Sequence, residues 1–426
     1  MTRDDCVALD AQDPLATHRG KFAMPEGVIY LDGNSLGALP LAARDRVAQV
    51  VEQEWGKGLI RSWNAARWIE LPRRVGTKIA HLVGAQPPEV ICADSTSINL
   101  FKVLATALRL QALRPQAPHV SLRERKVILS EKTNFPTDLY VAQGVIDLLG
   151  QGHELRLVEF DEVADAIDDR TAVLMLTHVN FRTGAMHDMA TLTSRAHGAG
   201  ALTVWDLSHS AGAVSVDLNA AGADFAVGCG YKYLNGGPGA PAFVFVATRH
   251  LAAIADDTYA QPLAGWLGHH APFEFVGDYR PAASIDRYAV GTPSIIALSA
   301  LEAGVDTVLA AGIDALRAKS IALTQLFIEL VEQRCSAHGL SLVSPRAATH
   351  RGSQVCLSHP HAYAVMQALI QRGVIGDFRA PDIVRFGFAP LYVGYADVWD
   401  AVQALQQVLA EREWQRTEFQ TREAVT

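Results

Sequence analysis

The sequence predicts an α/β protein: a large domain on a mostly parallel sheet, followed by a smaller α/β domain. Three observations predict it. Short apolar β-type runs alternate with longer Ala- and Leu-rich helical runs between Val127 and Val246, the pattern of repeated strand–helix–strand units. The strand runs are almost wholly apolar, as strands covered on both faces are. A second, shorter strand–helix module follows a long helical stretch near the C-terminal end.

The elements follow in order. Val127–Ser130 reads as a strand and Pro136–Leu149 as a helix. Leu155–Val158 and Ala172–Thr177 are strands, and His187–Gly198 is a helix. Leu202–Trp205, Phe225–Gly228 and Ala242–Val246 complete the strand set. From Ile295 to about Cys335 apolar residues recur at three- and four-residue spacing, which predicts helix. Strand Gln354–Leu357, helix Ala362–Arg372, strand Ile383–Phe386 and helix Ala396–Ala410 make the smaller module. The charged tail from Glu411 reads as a fraying helix end. The chain thus divides into an N-terminal segment, 1–50, a large domain, 51–310, and a small domain, 311–426. The first segment is expected to pack near the small domain and the active site.

Composition narrows the function classes. The chain has 426 residues, 49% hydrophobic and 19% charged, with a net charge of −8. At that size folding buries roughly three quarters of the extended surface, so the core needs no staples. Acids and bases are mixed along the chain without a basic stripe, which argues against nucleic acid. No apolar run approaches membrane-spanning length, and the N-terminus has no secretion-signal pattern. The five cysteines are scattered and form no CxxC, so neither a disulfide framework nor a metal site is expected. A cytoplasmic location fits best.

The chemistry centres on Lys232, inside Gly228-Cys-Gly-Tyr-Lys-Tyr-Leu-Asn-Gly-Gly-Pro-Gly239. A lysine in a desolvated loop can lose its proton and attack a carbonyl. Asp206 ends a strand upstream. Together they suggest pyridoxal 5'-phosphate, with Lys232 holding the aldehyde as a Schiff base and Asp206 facing the pyridine nitrogen. Both fall just after strands, where α/β sheets bind ligands. His209 could hydrogen-bond the cofactor's phenolic oxygen, and Tyr231 could bind phosphate or relay protons. In Asp94-Ser-Thr-Ser-Ile-Asn-Leu100, Thr96 and Ser97 open a helical run and are phosphate candidates; simple N-capping is the alternative. Phe135 could stack on the ring and Asp138 adds a carboxylate; a core phenylalanine and an N-cap are the alternative. Arg385 stands in an otherwise apolar strand, where burial demands an anion. That anion is either a substrate α-carboxylate held by two N–H groups or a protein carboxylate in a structural salt bridge.

These segments together resemble kynureninase, a member of the fold-type-I (aspartate-aminotransferase-like) enzymes that use pyridoxal phosphate. The resemblance runs from Tyr30-Leu-Asp-Gly-Asn-Ser-Leu-Gly37 through Phe135-Pro-Thr-Asp138, Asp206-Leu-Ser-His209, Tyr231-Lys-Tyr-Leu-Asn-Gly-Gly-Pro-Gly239, Gly265-Trp-Leu-Gly268 and Gly291-Thr-Pro-Ser294 to Arg385-Phe-Gly-Phe-Ala-Pro-Leu-Tyr392. It implies that Lys232 carries the cofactor in a pocket completed by Thr96, Ser97, Phe135, Asp138, Asp206, His209 and Tyr231. It also implies a homodimer in which Trp266 and Thr292 come from the neighbouring subunit. Thr292 stands where eukaryotic relatives place asparagine. Arg385 matches the substrate-carboxylate arginine, and Asn34 is a further substrate-side candidate. Trp63 and Trp68 are either walls for an aryl ring or core residues. The implied reaction, in tryptophan catabolism, is hydrolysis of L-kynurenine, with its 3-hydroxy form a second substrate candidate, to anthranilate and L-alanine. In it Lys232 would remove the Cα proton and Tyr231 would act as general acid.

Three rivals share parts of this pattern. A cysteine desulfurase or selenocysteine lyase needs a reactive cysteine on a mobile loop, and neither Cys335 nor Cys356 sits on one. An aminotransferase would share the pocket. A catalytically silent scaffold has no use for Lys232, Asp206 and Arg385 together.

Overall fold

The computed structural model describes residues 1–113 and 125–422. Thirteen strands are described. β1 is Ile29–Tyr30, β2 Val90–Cys92, β3 Val127–Glu131, β4 Glu154–Val158, β5 Thr171–Thr177, β6 Leu202–Asp206, β7 Phe225–Gly228 and β8 Phe243–Val246. β9 is Ser341–Leu342, β10 Gln354–Ser358, β11 Val374–Ile375, β12 Asp377–Arg379 and β13 Ile383–Gly387. A seven-stranded sheet runs β2-β8-β7-β6-β5-β3-β4. Strands β3 to β7 are mutually parallel, and β8 runs against both its neighbours. The α/β expectation therefore holds, with one reversed strand.

Alternation along the strands explains how both faces are buried. Val127 and Leu129 enter one core cluster with the helices Leu71–Leu82 and Met189–Gly198. Ile128, between them, enters the other with Thr96–Leu113 and Pro136–Leu149. Successive side chains of a strand point to opposite faces, so a strand covered on both sides is apolar throughout.

The structure departs from the expectations, or adds to them, in four places. The helical stretch Ile295 to Cys335 is two helices, Ile295–Ala311 and Ile313–Cys335, meeting at 80°. Gly312 separates them with φ 79°, a left-handed conformation that costs glycine nothing and stops a helix. The smaller sheet, β12-β13-β10-β9, is antiparallel throughout. The expected helix at His187 begins instead at Met189, because Asp188 caps it by accepting the Thr191 N–H. The tail from residue 411 to residue 422 is docked rather than frayed. Phe419 is buried there, and Arg372 donates to Glu413 at 3.0 Å.

The N-terminal segment forms a separate two-stranded sheet with a strand from the C-terminal part of the chain. β1 pairs in parallel with β11, and Asp32 bridges to Gly387. Among the described residues no single helix is long and apolar enough to cross a membrane.

Candidate active site

The site lies beyond the carboxyl ends of β3, β5, β6 and β7. After β7 the chain turns through Gly230 to Gly239, closed by Gly236 N–H donating to Gly230 O and Asn235 N–H donating to Lys232 O, both at 2.9 Å. Asn235 adopts φ 55° to make that turn. The loop carries the Lys232 amine to 2.9 Å from His209 Nε2. Burial is the main influence on that amine and holds it below its ordinary pKa, although Cys229 and Asp206 oppose the shift. A neutral amine is the form that attacks carbonyls. His209 is pushed well below its ordinary value by burial and then by Lys232, so it stays a neutral hydrogen-bonding ring. Gly37 explains why the N-terminal motif ends in glycine. Its N–H donates to Tyr231 O at 2.8 Å, and a Cβ there would meet Lys232 O at 2.4 Å.

Asp206 ends β6, buried, and accepts the Ser208 N–H at 2.7 Å. Asp138, at the start of the helix after Phe135, is buried beside it and takes a 3.3 Å hydrogen bond from Thr177 Oγ1. Burial raises both carboxyls, and Asp206 adds its charge to the shift at Asp138. Two buried acids with elevated pKa values are short of positive charge. A protonated pyridine nitrogen supplies it, and His209 Nδ1 is a buried atom with no hydrogen-bond partner. These residues fit pyridoxal phosphate. Phe135 is 41% exposed, its backbone N–H fixed by Asn134 Oδ1 at 2.7 Å. The core-phenylalanine alternative therefore fails, and the ring meets Phe181 in an edge-to-face contact at 5.2 Å.

A cavity of about 390 Å³ adjoins the lysine loop, lined by Asp94, Ser95, Thr96, Tyr231 and Thr292 among others. The helix Thr96–Leu113 begins at its wall, so its first N–H groups are available to an anion there. Ser95 Oγ accepts the Ile98 N–H at 3.4 Å and serves as the cap, which leaves the Thr96 and Ser97 hydroxyls free of that task. Lys102 anchors the assembly from below. Its buried amine pairs with Asp94 and donates to Tyr288 O at 2.6 Å, tying the helix start to the segment that leads to Thr292.

Arg385 is buried, and of its two sequence readings the protein ion pair is present. Its Nε donates to Asp377 Oδ1 at 2.7 Å and its Nη2 to Ser35 Oγ at 2.7 Å, with a second, closer contact from Nη2 to Asp377 Oδ2. Burial pushes Asp377 up, but Arg385 and Arg379 outweigh it and hold the carboxyl below its ordinary value. Asp32 lies in the same cluster, its carboxyl pushed up to about 7 by burial and by Asp377.

The structure brings Lys232, Asp206, Asp138, His209, Tyr231, Thr96 and Thr292 to one cleft. Other candidates make contacts of their own. Trp63 meets Trp68 edge-on at 6.0 Å, and Trp68 donates to Glu54 at 2.7 Å, which favours a structural part for Trp68. Trp266 sits among Phe273 and Phe275, and both phenylalanines are exposed. Asn34 is buried against Gly387, its Nδ2 3.5 Å from Gln354 Oε1 and its Oδ1 without a partner. Sequence reasoning missed Asp32, Ser35, Asp377, Arg379 and Lys102. Only Asp32 and Ser35 had a signal, their place in the Tyr30–Gly37 motif.

Comparisons with known proteins follow the same lines. A family model described as the kynureninase C-terminal domain matches residues 316–405. The chain is 56% identical over 426 residues to a kynureninase of Pseudomonas fluorescens, with 100% of both chains covered. It is 55% identical, again at full coverage of both, to a kynureninase of Burkholderia mallei. Among solved structures it is similar to apo cysteine desulfurase from Thermococcus onnurineus, with TM-score 0.75 and 19% identity, covering 93% of this chain and 98% of that one. A mutant of the cystine lyase C-DES, with glycine covalently linked to its PLP cofactor, gives TM-score 0.74 at 14% identity, covering 91% and 98%. At such low identity these structures speak for the fold alone.

Proposed function

The chain belongs to the kynureninase family, and we propose that it hydrolyses L-kynurenine to anthranilate and L-alanine with pyridoxal phosphate held on Lys232. The observation that carries this reading is identity above half over the full length of named kynureninases, joined to a desolvated lysine opposite buried acids. When bound, the cofactor supplies an electrophilic carbon for the substrate amine and a cationic ring that takes up electron density from Cα.

The chain's own residues do the rest. Asp206, with Asp138 behind it, keeps the ring nitrogen protonated. Phe135 would stack on the ring, and His209 would hydrogen-bond at its edge. Thr96, Ser97 and the helix N-terminus receive the phosphate. Lys232 Nζ, held below its ordinary pKa by burial, would take the Cα proton. Burial pushes the Tyr231 phenol up, so it keeps its proton at neutral pH and can donate it as the bond beyond Cβ breaks. Arg385 orients the α-carboxylate, while Trp63 and Asn34 border the substrate. Water is the second reactant, and the atoms of kynurenine plus water equal those of the two products.

The working form is a homodimer in which Trp266 completes the neighbour's phosphate site, whereas Thr292, expected there too, lines the cavity beside Thr96 and Tyr231 of its own chain. The exposed Phe273 and Phe275 around Trp266 support that contact. The five cysteines are free and buried, which supports a reducing cytoplasm. Burial also raises the Cys335 and Cys356 thiols to about 11, and such thiols are poor persulfide carriers. The test is direct. Purified protein, of twice the chain mass by light scattering, converts L-kynurenine to equal amounts of fluorescent anthranilate and alanine. Sulfide release from cysteine without action on kynurenine would overturn the assignment.

A further inference from the structure

A guanidinium has five N–H groups, and Arg385 spends most of them on protein. Nε gives its hydrogen to Asp377 Oδ1. Nη2 gives its two to Asp377 Oδ2 and Ser35 Oγ. Nη1 gives one to the Phe181 carbonyl at 2.5 Å. A single N–H remains, on a side chain only 1% exposed. A carboxylate held side-on needs two parallel N–H donors, and Arg385 does not have them to give.

Arg379 stands beside it with donors to spare. It closes β12, and antiparallel pairing sets Arg379 opposite Ile383 and Asp377 opposite Arg385. Its Nη2 is 2.6 Å from Asp377 Oδ2 and 3.3 Å from Ser35 Oγ, so both arginines share the same acid and the same hydroxyl. Its Nη1 gives one hydrogen to the Phe378 carbonyl at 3.2 Å, and its Nε appears in no hydrogen bond among the described residues. The side chain is 34% exposed. The charge of each arginine reaches both Lys232 and His209, which puts the pair at the catalytic cleft.

Charge balance points the same way. With the Asp32 carboxyl pushed up to about 7, the cluster below that pH holds two guanidinium cations against the single anion Asp377. One positive charge is left without an internal partner in a buried setting, where an anion is worth most.

We propose that Arg379 is a second substrate-recognition residue, which together with Arg385 takes the α-carboxylate of the amino-acid substrate. Arg385 contributes one buried, fixed N–H, and Arg379 contributes the accessible donors. Ser35 and Asp377 are positioning residues that hold the two guanidinium groups side by side. This inference rests on the kynurenine reading.

The experiment compares holoenzymes carrying Arg379, Arg379→Gln and Arg379→Lys. Steady-state kinetics with L-kynurenine are measured beside inhibition by its decarboxylated amine analogue, which lacks the recognised group. Arg379→Gln raises KM roughly 10- to 100-fold, the range for losing a hydrogen bond between charged groups. Its kcat stays within a few-fold of wild type, and its cofactor absorbance and its inhibition constant for the decarboxylated amine are unchanged. Arg379→Lys recovers part of the loss. A wild-type KM in Arg379→Gln would overturn the inference and leave the reaction standing. Equal weakening of kynurenine and the amine would mark a structural role and overturn it too. If Arg379→Gln does not fold, Arg379→Lys carries the test, with a selective rise in KM expected and none contradicting. Absence of kynurenine turnover in the wild-type protein would instead sink the reaction itself.

Discussion

Asp32 carries the pH dependence of substrate binding. Its carboxyl is pushed up to about 7 by burial first and Asp377 second, against the pull of Arg385, Ser35 and Arg379. The neighbouring phenols of Tyr30, Tyr233 and Tyr392 are all raised by burial, so none ionises in the same range. Below pH 7 Asp32 is neutral and the arginine pair keeps its excess positive charge. As pH rises through 7 Asp32 ionises, the excess is cancelled, and a substrate carboxylate is held less well. KM for L-kynurenine therefore rises above pH 7 in the wild-type protein. Asp32→Asn fixes the neutral form and flattens that rise. A KM profile identical in the two proteins would show that Asp32 does not tune the site. The legibility of single residues followed their setting. Lys232 stood out among glycines and Arg385 in an apolar strand, where a charge needs a reason. Asp377 and Arg379 sit in a polar stretch where charges read as solvated. Only the β12–β13 register turns Asp377 toward Arg385, eight positions away in sequence.

At the scale of elements, the lysine loop is held by the N-terminal motif as much as by its own glycines. Gly37 packs on it so closely that a Cβ would also meet Asn235 Oδ1 at 2.5 Å and Asn235 Cα at 2.8 Å. Gly37→Ala must displace the Lys232 loop, and overpacking of this kind costs about 1–3 kcal/mol. We expect a lowered melting temperature and at least a tenfold lower kcat, since catalytic groups tolerate little misplacement. Unchanged melting and turnover would show that the contact relaxes freely. The strand pattern was legible because burial on two faces leaves no polar position. The shortest strands, β1, β2, β9, β11 and β12, were not. Two or three residues carry too little periodicity, and their pairing depends on partners far along the chain, as Ile29 with Val374 shows.

Across the whole molecule the site is assembled where three stretches meet. The large sheet supplies Lys232, Asp206 and Asp138, the N-terminal segment supplies Asp32, Ser35 and Gly37, and the antiparallel sheet supplies Asp377, Arg379 and Arg385. We propose the boundaries 1–50, 51–310 and 311–426 for these stretches, supported by β1 leaving the large sheet's side to pair with β11 and by the sharp bend at Gly312. Fold class and the cofactor lysine could be read from local pattern. The guanidinium cluster could not, because its members come from both ends of the chain. The account's central claim is that one amine, Lys232 Nζ, holds the coenzyme. Borohydride reduction of the holoenzyme, digestion and peptide mass spectrometry test it most directly. The predicted result is a pyridoxyl-phosphate adduct on the peptide containing Lys232, lost in Lys232→Ala. An adduct on another lysine, or none at all, would contradict it.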